Sequence, residues 1–141
     1  MQVRLLYVST AVGPQTTTVT RSIHKAARAF NAEHDITGIL CQGQGLFLQV
    51  LEGQRGVVNR LYSHILADRR HKDVELLVYQ EISERQFGHW AMAHVQLSAQ
   101  DPMLLLKHPE FDPYSASGNL VLDGLSELIA SGHLLDDLPD D

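Results

Sequence analysis

The period of the hydrophobic positions changes along the chain and marks out its elements. Residues 2–9, QVRLLYVS, alternate: Val3, Leu5, Tyr7 and Ser9 fall on one face and Arg4, Leu6 and Val8 on the other, a strand period with both faces mostly apolar. Gly13 and Pro14 end that strand, and the threonines at 16–18 and 20 offer N-caps for a helix. Val19, Ile23, Ala26, Ala27 and Phe30 follow at helical spacing and predict an amphipathic helix over 19–33. Strands are expected at 36–42 and 46–52, joined by Gly43-Gln44-Gly45, a short Gly-rich link of the hairpin kind. After Gly53 and Gly56, the spacing of Val57, Val58, Leu61, Ile65 and Leu66 predicts a second helix over 57–68. Two further strands, 74–82 and 90–97, flank the polar link 83–89. The order β-α-β-β-α-β-β is the ferredoxin-like α+β plan with an added strand, its two helices on one face of a largely antiparallel sheet.

Beyond residue 96 the chain changes character. Met103 to Leu106 are apolar, Pro109, Pro113 and Gly118 mark a loop, and Leu120, Leu122, Leu125, Leu128 and Ile129 recur at roughly helical spacing. Two short helices are expected here, covering the open face of the sheet or presenting an apolar surface to another subunit. Charge supports a division into a unit of 1–95 and a helical extension of 96–141. The first holds ten Lys and Arg against eight Asp and Glu, the second Lys107 alone against nine acids, four of them Asp136, Asp137, Asp140 and Asp141. A tail of that sign repels phosphate backbones and anionic lipid, so neither nucleic acid nor membrane is an expected partner. No apolar run approaches the roughly 18 residues of a membrane span. The N-terminus lacks the basic and long apolar regions of a secretory signal, and a soluble cytoplasmic protein is the expectation. Cys41, the only cysteine, excludes an intramolecular disulfide and a Cys-rich zinc knuckle.

A few residues do not fit a bland core. Gln49 lies within Leu46-Phe47-Leu48-Gln49-Val50-Leu51, where a buried amide needs partners for its donors and its acceptor. Alternation also allows a solvated face, although Phe47 and Leu51 share it. Asn31 sits on the flank of the first helix's apolar stripe, either facing a polar partner or serving as a C-terminal cap. Taken singly, Tyr7 reads as a half-buried strand aromatic, and Trp90 and Met92 as core. The eight histidines are scattered without HExxH or a comparable pair, so no metal site is expected. Gly43-Gln44-Gly45 lacks the third glycine and the helix of a dinucleotide fingerprint, and Ser9, Ser22 and Ser63 lack a nucleophile-elbow context. Asp68-Arg69-Arg70-His71 reads as a surface charge run or as a phosphate-facing cluster.

Together these residues resemble the BLUF family, blue-light sensors that hold FAD on a ferredoxin-like fold. The resemblance runs through Arg4-Leu5-Leu6-Tyr7, Phe30-Asn31, Ile36-Thr37-Gly38-Ile39-Leu40, Phe47-Leu48-Gln49-Val50-Leu51-Glu52-Gly53, Asp68-Arg69-Arg70-His71 and Arg85-Gln86-Phe87-Gly88-His89-Trp90-Ala91-Met92. It covers about 95 of the 141 residues, in order and at the family's spacing. It implies a non-covalent FAD, with FMN and riboflavin sharing the same ring contacts, slotted between the two helices. Asn31 would bond the polar edge of the ring, Ile23 would pack on a ring face, and Phe47 and Leu51 would help line the pocket. His64, Asp68, Arg70 and His71 would lie toward the ribityl and phosphate end. The family's photochemistry assigns Tyr7 as donor of an electron and proton to the excited flavin through Gln49, whose amide then stays rotated or tautomerised. Its consequence is a small, dark-reversible red shift without turnover of a substrate. Trp90 and Met92 share a strand face by period-2 counting, and the resemblance makes them the relay toward the C-terminal helices.

No cyclase, phosphodiesterase or DNA-binding module is recognisable in 96–141. The resemblance is therefore to a short stand-alone sensor, not an enzyme, that signals to an unidentified protein partner or by changing its own homo-oligomeric state. Two other classes compete with it. One is a flavin-free ferredoxin-like module for protein contacts. The other, a small RNA binder, is disfavoured by the acidic tail and the lack of an RNP-type aromatic motif.

Overall fold

In the computed structural model, residues 1–97 and 113–130 are described. Strand β1 (Gln2–Ala11) carries the alternation of the first residues into the sheet, and β2 (Thr37–Gly43) and β3 (Leu46–Gln54) form the expected hairpin. Its turn places Gln44 at φ 54° and Gly45 at φ 76°, and paired positive φ values give a two-residue turn the right-handed twist of its strands. With β4 (His71–Ile82) and β5 (Ala93–Gln96) the sheet has the order β4-β1-β3-β2-β5. All neighbours run antiparallel except β5, which pairs parallel with β2. This is the α+β, ferredoxin-like arrangement with an added strand.

Helix α1 (Thr17–Glu33) begins earlier than its apolar spacing predicts because Thr16 is the cap, its hydroxyl accepting from the Val19 N–H at 3.3 Å. Helix α2 (Arg55–Leu66) starts and ends two residues ahead of the predicted 57–68. The β4 strand starts at His71 rather than at 74 because its first residues pair with Thr10 and Ala11. Helix α3 (Gly118–Ala130) covers the predicted 120–129. The short helix expected at 103–106 lies outside the described residues. The boundary expected at residue 95 falls inside β5.

Side-chain alternation sends the sheet's apolar residues into two cores. Val3, Leu5, Tyr7, Leu40, Phe47 and Leu51 pack beneath α1 and α2, with Ile23, Ala27 and Phe30 from α1 and Val58 from α2. Leu6, Val8, Ile39, Cys41, Leu48, Val50 and Val95 pack on the opposite face against Val121, Leu122, Leu125 and Leu128 of α3. Each fully buried aliphatic side chain contributes about 1.5–3 kcal/mol, so covering the second face is a large part of what holds α3 in place. Gly118 lets the helix approach: a Cβ there would stand 2.3 Å from the Leu77 carbonyl oxygen.

The link between β4 and β5 is tied to the sheet by a buried charge. Glu52, fully buried, receives Arg4 at 2.8 Å and the backbone N–H groups of Gln86 and Phe87 at 3.0 and 2.6 Å. Both oxygens of this carboxylate have donors, and one of these is a cation, which is the condition for tolerating a buried charge. The link thereby delivers residues 90–92 to the end of α1.

Residues 90–92 are not a strand. Sequence alternation predicts a strand from 90, but β5 begins at Ala93. The consecutive carbonyls of Ala91 and Met92 are both taken by side chains of α1, Asn31 Nδ2 at 3.1 Å and His24 Nε2 at 2.7 Å, where in a strand they would point to opposite sides.

Candidate functional site

Between α1 and α2, above the β1–β3 face, lies a cavity of about 230 Å³. Tyr7, Leu40, Phe47 and Gln49 rise into it from the sheet. Ile23, Ala26, Ala27, Phe30 and Asn31 line it from α1, and Leu61, His64 and Ile65 from α2. Asp68, Arg70 and His71 complete the lining just beyond α2. The two alanines remove bulk from one wall and leave a space open to a flat group.

Tyr7 and Gln49 are directly opposed in the register of β1 and β3. Side chains of such a pair meet, and here the Tyr7 hydroxyl donates to Gln49 Oε1 at 2.6 Å. Gln49 Nε2 in turn faces Met92 Sδ at 3.7 Å, a weak acceptor. Gln49 is 5% exposed, so of its two sequence readings the solvated face is excluded. Burial pushes the Tyr7 phenol well above its ordinary pKa, with Tyr62 and Asp68 adding to the shift and Arg70 opposing it. Tyr7 is therefore a neutral donor across the accessible pH range.

Asn31 combines both of its sequence readings. Its backbone carbonyl ends α1 by accepting from His34 and Ile36, while its side chain turns into the cavity. There Nδ2 donates to the Ala91 carbonyl and Oδ1 is buried with no partner among the described residues. A buried acceptor without a donor costs on the order of 1–3 kcal/mol, and a ligand N–H would remove that cost. The imide N–H at the polar edge of an isoalloxazine ring is such a donor. The apolar side chains of α1 and α2 and this orphaned acceptor fit a flavin ring.

At the other end Asp68 accepts from the Arg70 backbone N–H at 2.9 Å and from its Nε at 3.0 Å, and Arg70 holds the Asp68 carboxyl below the usual carboxylate range. His71 Nε2 donates to the Ile65 carbonyl at 2.6 Å, which leaves Nδ1 to meet the Ser9 hydroxyl at 2.7 Å. His71 is thus fixed in orientation, its ring edge-on to both Tyr7 and Phe47.

Nine of the residues singled out in the sequence as flavin contacts line this one cavity: Tyr7, Ile23, Asn31, Phe47, Gln49, His64, Asp68, Arg70 and His71. Leu51 does not; it is fully buried in the core beneath. The shared face expected for Trp90 and Met92 is also corrected. Met92 packs in the core beneath α1 and α2, whereas Trp90 packs against the core of the opposite face. Sequence reasoning treated Ala26, Ala27, Phe30, Leu61 and Ile65 as ordinary helix core, and only the consecutive alanines in a bulky stripe hinted at a slot. It gave no role to His24, Gln42 and His94, which are buried together beside Met92. Among the described residues no three His, Cys, Asp or Glu side chains gather as a metal site, and no helix is long and apolar enough to cross a membrane.

The family of sensors of blue light using FAD, BLUF, matches residues 2–93. Photoactivated adenylate cyclase subunit alpha of Euglena gracilis is 42% identical over 86 residues, 61% of this chain and 8% of that protein. The chain thus spans less than a tenth of that relative. The photo-activated state of BlsA superposes with a TM-score of 0.80 at 30% identity, over 100% of both chains. The dark-state structure of BlrB, a BLUF protein, does so with a TM-score of 0.75 at 28% identity, over 92% of this chain and 96% of that one. The match spans most of the chain and takes in Tyr7, Asn31 and Gln49, which line the cavity, and Met92, which meets Gln49: this chain belongs to the BLUF family, photoreceptors that sense blue light with a bound flavin.

Proposed function

We propose that this chain holds FAD non-covalently and converts blue light into a hydrogen-bond rearrangement centred on Gln49. The observation that carries the reading is the contact chain Tyr7–Gln49–Met92 at the wall of a cavity that the buried Asn31 Oδ1 enters without a partner among the described residues. Asn31 holds the polar ring edge, Ile23 packs on a face, and Phe47 closes the sheet side. The cavity is smaller than the about 300–1,000 Å³ that encloses a whole drug-sized ligand. It therefore takes the ring, with the phosphate-bearing tail leaving past His64, Asp68, Arg70 and His71.

The flavin supplies the blue absorption and, once excited, the oxidising power. With the flavin bound, Tyr7 would supply the electron, with its Oη proton moving along the 2.6 Å bond to Gln49 Oε1, and both would return to the phenol so that no net oxidation of Tyr7 remains. Gln49 can accept at Oε1 and donate at Nε2 at once, so the proton moves without a free charge forming in the buried site. If the amide then stays rotated or tautomerised, a lone pair replaces an N–H opposite the Met92 sulfur. That contact turns from attraction to repulsion, and Met92 moves.

Met92 and Trp90 are the relay. Trp90 packs on the opposite core and, with Phe87, Ser126 and Ile129, lines a second small cavity against α3. Displacement of 90–92 therefore bears on α3. We read residues 1–95 as the flavin-binding unit and 96–141 as the extension that carries the signal to a protein partner or to the chain's own homo-oligomeric state. No turnover of substrate enters this account, and the cytoplasm is its setting.

The test is the absorption spectrum of the purified protein in the dark and after blue illumination. A flavin spectrum that shifts slightly to the red and returns in the dark is the expected result. Folded protein that takes up no flavin would favour the flavin-free interaction module instead.

A further inference from the structure

Three consecutive carbonyls bring the chain to the Gln49 site, and each is held by a different donor. The Trp90 oxygen accepts from the backbone of Gly38 at 3.1 Å, Ala91 from Asn31 Nδ2 at 3.1 Å, and Met92 from His24 Nε2 at 2.7 Å. The first anchor is β2 and the other two are side chains of α1. Asn31 has an explanation in the cavity. His24 lines no part of it, yet is 5% exposed and makes the shortest of the three bonds, to the residue whose sulfur meets Gln49.

The surroundings of His24 leave it little freedom. Its ring stacks on that of His94, with centroids 4.7 Å apart and planes at 19°. His94, on β5, is held by Gln42 of β2, whose Nε2 donates to the Thr20 carbonyl of α1 at 3.0 Å and meets His94 Nε2 at 3.2 Å. With both hydrogens of Gln42 Nε2 so engaged, His94 Nε2 is the acceptor. A carbonyl can only accept, so His24 must carry its proton on Nε2. Both tautomers follow from their partners, and the result is a polar bracket joining α1, β2 and β5 immediately behind Met92. It is deeply buried: His94 is 3% exposed and Gln42 fully enclosed.

We propose that His24 is a positioning residue for the photoreaction: it fixes the Met92 main chain, and so sets the distance between the Met92 sulfur and Gln49 Nε2, with His94 and Gln42 holding His24 in place. This rests on Gln49 as the residue that rearranges. Two of the three donors that hold 90–92 come from the helix that also lines the ring cavity, so α1 takes part in the relay together with residues 90–92. Of those donors only His24 can be altered without touching the cavity lining.

The test uses full-length, flavin-loaded protein labelled with ¹³C at the methionine methyl groups. The chain has three methionines, and a Met92→Leu control assigns the signal of interest. His24→Phe keeps a ring to stack on His94 and removes the donor. His24→Gln removes the ring and places an amide N–H near the position of Nε2. In the dark, the Met92 methyl signal is expected at its wild-type position in His24→Gln and displaced or split in His24→Phe. Recovery after illumination should stay near the wild-type rate in the first and change about fivefold or more in the second, the factor a single buried hydrogen bond is worth. A His24→Phe protein that matches wild type in both readouts overturns the proposal. Should that variant not fold, His24→Asn replaces it, since its shorter arm cannot reach the Met92 carbonyl; equal behaviour of the Asn and Gln variants then overturns the proposal. Wild type that binds flavin but shows no reversible shift would defeat the photochemical reading instead, while the dark methyl comparison would still decide the role of His24.

Discussion

Met92 and Trp90, separated by one residue, pack on opposite faces of the sheet. In a regular strand they would share a face. The pleat is lost where the consecutive carbonyls of Ala91 and Met92, which would point to opposite sides in a strand, both bond to α1. One short segment thus touches both Gln49, through the Met92 sulfur, and the core beneath α3, through the Trp90 ring.

Backbone hydrogen exchange in α3 is expected to increase under blue light in the wild-type protein and to change little in Met92→Ala. The substitution should cost about 2–5 kcal/mol of stability, as for other buried Met→Ala changes, and spare the flavin bands. Equal light responses of α3 in the two proteins would remove Met92 from the relay.

Asn31→Ala should weaken binding of riboflavin about tenfold, since the ring edge loses its acceptor and riboflavin has no phosphate to compensate. Fluorescence titration measures this directly. An unchanged dissociation constant would mean that the orphaned Asn31 oxygen does not meet the ring.

The Tyr7 phenol sets a pH window. Burial raises its pKa above the unfolded value of about 10, so the folded state keeps a proton that the unfolded chain loses. Its contribution to stability is complete below about pH 10 and is lost as the pH rises beyond that value. The amplitude of the light-induced shift should accordingly stay level from about pH 7 to 10 in a series of difference spectra. A fall centred well below about 10 would show that Tyr7 is not the buried neutral donor described.

Much of this architecture was readable in the sequence because periodicity reports burial. The alternation of Val3, Leu5 and Tyr7 against Leu6 and Val8 placed the two faces of β1, and the 3.6-residue spacing of Ile23, Ala27 and Phe30 placed the buried stripe of α1. Gln49 and Asn31 stood out because each put an amide where that pattern asks for hydrocarbon. The path of 90–92 was not readable, since it depends on side chains of residues 24 and 31 capturing carbonyls some sixty residues away in sequence. Leu51, which the resemblance placed at the pocket, shares the face of Phe47 and Gln49 but lies two residues further along β3, opposite Leu5, and does not line the cavity. The His24–His94–Gln42 bracket left no trace because scattered single histidines look alike whether they are solvated or paired.

The most direct measurement is the light-minus-dark absorption difference of flavin-loaded Gln49→Leu beside wild type. Leucine fills the space but can neither accept from Tyr7 nor donate toward Met92. The account predicts a yellow, folded variant that shows no reversible red shift, against a clear one in wild type. A Gln49→Leu protein that shifts and recovers like wild type would contradict the claim that the Gln49 amide is the element light rearranges.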